Sequence, residues 1–149
     1  SPLLLAALFP EAHINFIDIL ASILMLTFII TESLADNQLF RFHQEKKNKT
    51  KGEKRYSRSI LKGFMTEGLW KYVRHPNFTS EQAIWIFFYF FGVAASGKFI
   101  NITLLGPVLL ILIFMGSSRL TESISSSKYP EYKLYQKNVP RFLPGKISN

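Results

Sequence analysis

Residues 84–91 read Ile-Trp-Ile-Phe-Phe-Tyr-Phe-Phe, and residues 108–115 read Val-Leu-Leu-Ile-Leu-Ile-Phe-Met. A helix at the surface of a soluble protein needs a polar face, and neither stretch has one. Three apolar segments, at about 14–34, 83–95 and 102–115, approach the roughly 20 residues that carry a helix across ~30 Å of hydrocarbon. Residues 79–82 form a polar root to the second, and Ser96-Gly97-Lys98 breaks the chain between the second and the third. The pattern predicts an all-α polytopic membrane protein with about three transmembrane helices, the last two forming a hairpin.

Charge supports the same reading. The formal charge is +8, with 14 phenylalanines among 149 residues, a balance that could suit nucleic acid or a membrane. The apolar residues are blocked rather than spread, which favours the membrane and excludes a nucleic-acid partner. Lysine and arginine crowd residues 41–74 and the chain from Arg119 onward, and only Lys98 falls on the opposite side. The positive-inside rule then puts the 41–74 loop and the C-terminus in the cytoplasm, as the hairpin also requires. Residues 44–62 are expected to be a flexible, basic cytoplasmic loop. The tail around residues 128–137 reads as one short cytoplasmic helix, with Pro130 in its first turn and Tyr129, Tyr132 and Tyr135 in a stripe.

There is no cysteine, hence no disulfide framework, thiolate nucleophile or thiolate metal site. His13, His43 and His75 are far apart, and no metal is expected. The chain opens inside an apolar run, Leu3-Leu4-Leu5-Ala6-Ala7-Leu8-Phe9, without the basic start of a signal peptide. It reads as the C-terminal part of a single membrane-embedded domain, with N-terminal spans expected before it.

Polar residues gather at the expected cytoplasmic helix mouths. Pro76 suits the first turn of the second span. Asn77 and Glu81 share a face at i, i+4, and a carboxylate one turn inside such a mouth needs a partner. Arg74 and His75 stand just before it, so the mouth could attract an anion or serve as an interface anchor with Trp70 and Tyr72. The first span ends with Glu32 and Asp36 on one face, with Asn37 and Gln38 beside them. After the third span, Arg119 and Glu122 stand at i, i+3 and could pair with each other. Asp18, on a face with Asn15 and Ser22, could line a cavity or be a hydrogen-bonded residue near the far surface. Together these mouths, with the tyrosine-rich tail over them, imply a pocket for a polar cofactor above an apolar floor that suits a lipidic substrate.

Ala35-Asp36-Asn37-Gln38, then Gly68-Leu69-Trp70-Lys71-Tyr72-Val73-Arg74-His75-Pro76-Asn77-Phe78 with Glu81, then Tyr129-Pro130-Glu131-Tyr132 and Val139-Pro140-Arg141-Phe142-Leu143-Pro144 resemble the DUF1295 group of the steroid 5-alpha-reductase-like membrane superfamily. The resemblance implies a helical fold with an NADPH pocket open to the cytoplasm. It also implies hydride transfer to a conjugated C=C of a sterol- or steroid-enone-like lipid, in the endoplasmic reticulum. By position it makes Asp36, Tyr72, Asn77, Glu81, Tyr129 and Arg119 cofactor contacts and puts Arg74, beside His75, near phosphate. Gln38, Glu122 and Tyr132, in the same blocks, complete the candidate set. Many members read Asn-Tyr-Phe-Gly-Glu where this chain has Asn77-Phe78-Thr79-Ser80-Glu81. In the steroid reductases the acid that polarises the substrate lies in the N-terminal half, so no catalytic proton donor is assigned. Isoprenylcysteine carboxyl methyltransferases, which use S-adenosylmethionine, share the Arg-His-Pro block but lack the Asn…Glu pair. They carry two adjacent glutamates where this chain has Glu122-Ser123. A methyltransferase, or a non-catalytic protein on the same scaffold, is the alternative reading.

Overall fold

The computed structural model describes residues 1–9, 13–48 and 56–145. These form helices α1 (Pro2–Ala7), α2 (Phe16–Lys47), α3 (Arg58–Lys62), α4 (Pro76–Ser96), α5 (Leu105–Lys128) and α6 (Tyr132–Asn138), with 3-10 turns at Gly68–Lys71 and Ile102–Leu104 and no strand among the described residues. The all-α expectation holds.

Two helical segments, Phe16–Lys47 and Ile102–Lys128, are long and apolar enough to cross a membrane. Only 6% and 17% of their apolar windows are buried, so neither is packed as the core helix of a soluble protein. Ile19, Ile23, Leu26 and Ile30 on α2 and Leu109, Leu112 and Ile113 on α5 lie exposed, as a lipid-facing surface would be. The second expected span forms a helix, α4, but is not one of the two. Asn77, Thr79, Ser80, Glu81 and Gln82 occupy its first turns and dilute its apolar character.

Several boundaries differ from the sequence reading. Helix α2 continues past 34 to Lys47, because no glycine or proline interrupts residues 16–51 and Lys46 and Lys47 suit a helix C-terminus. The expected flexible loop at 44–62 is therefore helical at both ends, through α2 and α3; residues 49–55 lie outside the described residues. Helix α5 runs through Gly116-Ser117-Ser118, since one helical glycine costs only about 1 kcal/mol. The tail is not one helix from 128. Helix α5 ends at Lys128 and α6 begins at Tyr132, because Pro130 donates no N–H and disfavours helical geometry in the residue before it.

The chain divides into two compact units, Ser1–Thr31 with Ser80–Gly116 and Glu32–Thr79 with Ser117–Asn149. In the first, Phe28 stacks on Phe87 at 5.8 Å. Asn15 caps α2: its Oδ1 accepts the Ile17 N–H at 2.8 Å, and its own N–H donates to Asp18 Oδ2 at 2.9 Å. Asp18 thus serves a reciprocal cap, and with Ser22 it also lines a cavity of about 340 Å³. The break after Ser96 is present, and Asn101 Oδ1 accepts the Thr103 N–H at 3.0 Å to start the next turn.

In the second unit, Phe64, Tyr132 and Tyr135 form a buried aromatic core, with Tyr129 and Val139 packed against it. The rings of Tyr129, Tyr132 and Tyr135 lie 5.7, 4.9 and 5.5 Å from that of Phe64. The Tyr135 hydroxyl donates to the Trp70 carbonyl, fastening α6 to the 3-10 turn. Gly63 ends α3 with φ +84°, a left-handed C-cap that glycine adopts without strain. Its N–H donates to the Ser59 carbonyl at 2.9 Å.

Candidate functional site

A cavity of about 390 Å³ lies within the second unit. The end of α2 supplies Phe42 and Lys46, the start of α4 Asn77 and Phe78, the end of α5 Thr121 and Ser125, and α6 Tyr132 and Tyr135; Trp70, His75, Lys128 and Tyr129 complete much of the wall. Three helix ends and the tail helix thus meet at one aromatic-lined space, the kind of concavity that binds small molecules.

Of the predicted site residues, His75, Asn77, Tyr129 and Tyr132 line the cavity. Asn77 Nδ2 donates to Asp36 Oδ1 at 3.1 Å, so Asp36 orients the carboxamide without lining the wall. Asn77 Oδ1 is buried and has no hydrogen-bond partner; the same holds for Trp70 Nε1. Buried polar atoms are nearly always paired. Both residues line the cavity, so its wall contains one unmatched acceptor and one unmatched donor. Burial, with the Glu122 charge adding to it, pushes the Tyr132 hydroxyl up to about 12. Burial also raises Tyr135, and both rings remain protonated at neutral pH.

Arg74 and Glu122 hold the unit together from outside the wall. Arg74 Nε donates to Glu122 Oε1 at 2.8 Å, Nη2 to Glu122 Oε2 at 3.3 Å, and Nη1 to the carbonyls of Gln136 at 2.6 Å and Val139 at 2.7 Å. A guanidinium has five N–H donors; four are engaged on these partners and the side chain is buried, which leaves Arg74 one N–H for any further partner. Glu122 also meets His75 Nε2 at 3.0 Å and Arg141 Nη2 at 2.8 Å, and accepts from Gln136 Nε2 at 3.1 Å. It is not paired with Arg119, which is exposed; two guanidinium groups and an imidazole offer it more than one surface arginine. The Arg74 and His75 N–H groups donate to the Pro140 and Arg141 carbonyls at 2.9 and 3.1 Å. Thr79 Oγ1 donates to the Phe142 carbonyl at 2.9 Å. The tail is thereby stitched to the start of α4.

Gln38 is structural as well. Its Oε1 accepts the Leu69 N–H at 3.0 Å, against Gly68 at φ +62°. A Cβ on Gly68 would stand 2.3 Å from that oxygen. Gly68→Ala is expected to cost about 2 kcal/mol, from the left-handed strain and the lost hydrogen bond. Equilibrium unfolding in detergent checks this, and a cost under about 0.5 kcal/mol would remove Gln38 from its assigned role.

Tyr72 is 62% exposed. Glu81 belongs to the first unit, where its Oε1 accepts from Trp85 Nε1 at 2.9 Å. Sequence reading missed Trp70, Lys46 and Lys128 as wall residues. Trp70 looked like an interface anchor, and the lysines looked like ordinary basic bias. Among the described residues no group of His, Asp and Glu could hold a metal ion.

A family model described as "Protein of unknown function (DUF1295)" matches residues 1–139. An uncharacterized protein of Schizosaccharomyces pombe is 40% identical over 134 residues, covering 85% of this chain and 39% of that protein. The chain thus spans about two-fifths of the length of that relative. No solved structure matches. The chain belongs to the DUF1295 family.

Proposed function

We infer that this protein is an NADPH-dependent membrane reductase acting on a conjugated C=C of a lipidic, sterol- or enone-like substrate. The observation that carries the reading is the unmatched pair on the cavity wall, Asn77 Oδ1 as acceptor and Trp70 Nε1–H as donor. A primary carboxamide such as that of nicotinamide offers the complementary N–H and C=O on one small planar group. The resemblance supports the same residue, because Asn77 matches a dinucleotide-contact position. The aromatic wall, with Trp70, Phe78 and Tyr132, suits a planar ring. Asp36 would hold the Asn77 carboxamide in one orientation, so that Oδ1 rather than Nδ2 faces the ligand. The protonated Tyr132 and Tyr135 add no negative charge to the wall at neutral pH.

NADPH, when bound, supplies the hydride; the residues of this chain bind and orient it and exclude water. The two long apolar helices support residence in a bilayer, where a lipidic substrate would be concentrated. The basic excess in residues 41–74 and at the C-terminus suits a cytoplasmic orientation for the cavity, where NADPH is available, and residence in the endoplasmic reticulum fits both. The cavity would then be one part of a single membrane-embedded domain.

Asn77→Ala and Trp70→Phe are each expected to weaken NADPH binding about three- to tenfold, the worth of one hydrogen bond. Cofactor fluorescence with the protein in nanodiscs checks this. Unchanged affinity in both variants, with helical content retained, would overturn the reading.

A further inference from the structure

Two lysines distant in sequence meet at one tyrosine on the cavity wall. Lys46 stands near the end of α2, Lys128 is the last residue of α5, and Tyr129 follows it. The Lys46 ammonium donates to the Tyr129 hydroxyl at 2.7 Å and to the Gly63 carbonyl. Its Nζ lies 4.9 Å from the Tyr129 ring centroid, and that of Lys128 lies 5.6 Å from the same centroid. All three residues line the cavity.

Among the described residues, neither ammonium forms a salt bridge with a carboxylate. Two acids of the same unit are engaged elsewhere: Glu131 with Lys62 at 3.0 Å, and Glu122 with Arg74, His75 and Arg141. Two like charges sharing one ring repel each other unless an anion joins them. The Tyr129 hydroxyl already responds to that field. Burial pushes it up, but the hydrogen bond and charge of Lys46, with those of Lys128, outweigh burial and leave it below the ordinary tyrosine range.

We propose that Lys46, Lys128 and Tyr129 form a subsite for a phosphomonoester dianion carried by the ligand of this cavity. The two ammonium groups supply charge, and the phenol supplies a neutral donor once Lys46 turns a proton to the phosphate. The chemistry has two possible sources. One is the 2′-phosphate of NADPH, which rests on the reductase reading. The other is the headgroup of a phosphatidic-acid-type lipid, which does not. S-adenosylmethionine carries no phosphate and would leave the subsite empty.

The test compares NADPH with NADH, which lacks the 2′-phosphate, by cofactor fluorescence in phosphatidylcholine nanodiscs. A parallel arm measures retention of fluorescent phosphatidic acid against fluorescent phosphatidylcholine in detergent. Both arms use wild type, Lys46→Met and Lys128→Met, and circular dichroism checks the fold. Lys128→Met is the cleaner variant, since Lys46 also holds the Gly63 carbonyl. The expected result is NADPH binding at least tenfold tighter than NADH, a preference cut about tenfold by each substitution while NADH affinity stays unchanged. Lysine-dependent retention of phosphatidic acid, with neither dinucleotide bound, would keep the subsite and sink the reductase reading. Equal binding of NADPH and NADH, unaffected by both substitutions, with no preference for phosphatidic acid, would overturn the subsite and spare the reductase reading. No phosphomonoester bound in either arm would overturn it too.

Discussion

Glu122→Leu is expected to lower the unfolding free energy by about 3–5 kcal/mol, the cost of leaving a buried partner charge unpaired. Glu122 is 2% exposed and Arg74 8%, so water cannot readily replace the lost carboxylate. The change would strand the Arg74 guanidinium, His75 Nε2, Arg141 and Gln136 Nε2 at once. Because Arg74 also holds the carbonyls of Gln136 and Val139, the tail and α6 should loosen with it. Protease cleavage after Lys133 or Lys137 should then accelerate. A double-mutant cycle with Arg74→Met sharpens the test: the double variant should cost well under the sum of the singles. Additive costs, or a single cost under about 1 kcal/mol, would mean that the cluster does not hold the unit together.

Phe64→Ala is expected to cost about 3–5 kcal/mol, the usual range for emptying a buried phenylalanine site. The ring is shared by Tyr129, Tyr132 and Tyr135, which come from the link after α5 and from α6. The hole would open beside the cavity wall, so ligand affinity should fall along with stability. Phe64→Leu keeps most of the volume and should cost less than half as much. Equal costs for the two variants would show that ring packing at Phe64 is not what seats α6.

Much of the fold was legible because it rests on one-dimensional signals. The apolar blocks gave the helices, Pro76 fixed the start of α4, and Ser96-Gly97-Lys98 marked the break before α5. Asn77 and the tyrosine stripe, which line the cavity, stood out for a related reason: polar groups beside an apolar segment need partners. The partners themselves were not legible. Glu122 had an obvious neighbour in Arg119 at i, i+3, yet it pairs with Arg74, 48 residues away. Gln38 stood in the candidate contact set, and its Oε1 receives the Leu69 N–H, 31 residues on. Lys46 and Tyr129 meet across 83 residues, and no local spacing rule reaches that far. The helix ends were misjudged where a charged sequence kept α2 helical beyond its apolar stretch, and where Pro130 divided the tail from α5.

The most direct measurement is a side-by-side titration of the wild-type protein in nanodiscs with NADPH and with S-adenosylmethionine, each followed by calorimetry. Saturable NADPH binding at one site per chain, with no heat of binding from S-adenosylmethionine, is the predicted result. Saturable S-adenosylmethionine binding without NADPH binding would contradict the reductase reading and move the protein to the methyltransferase chemistry. Binding of neither would contradict both.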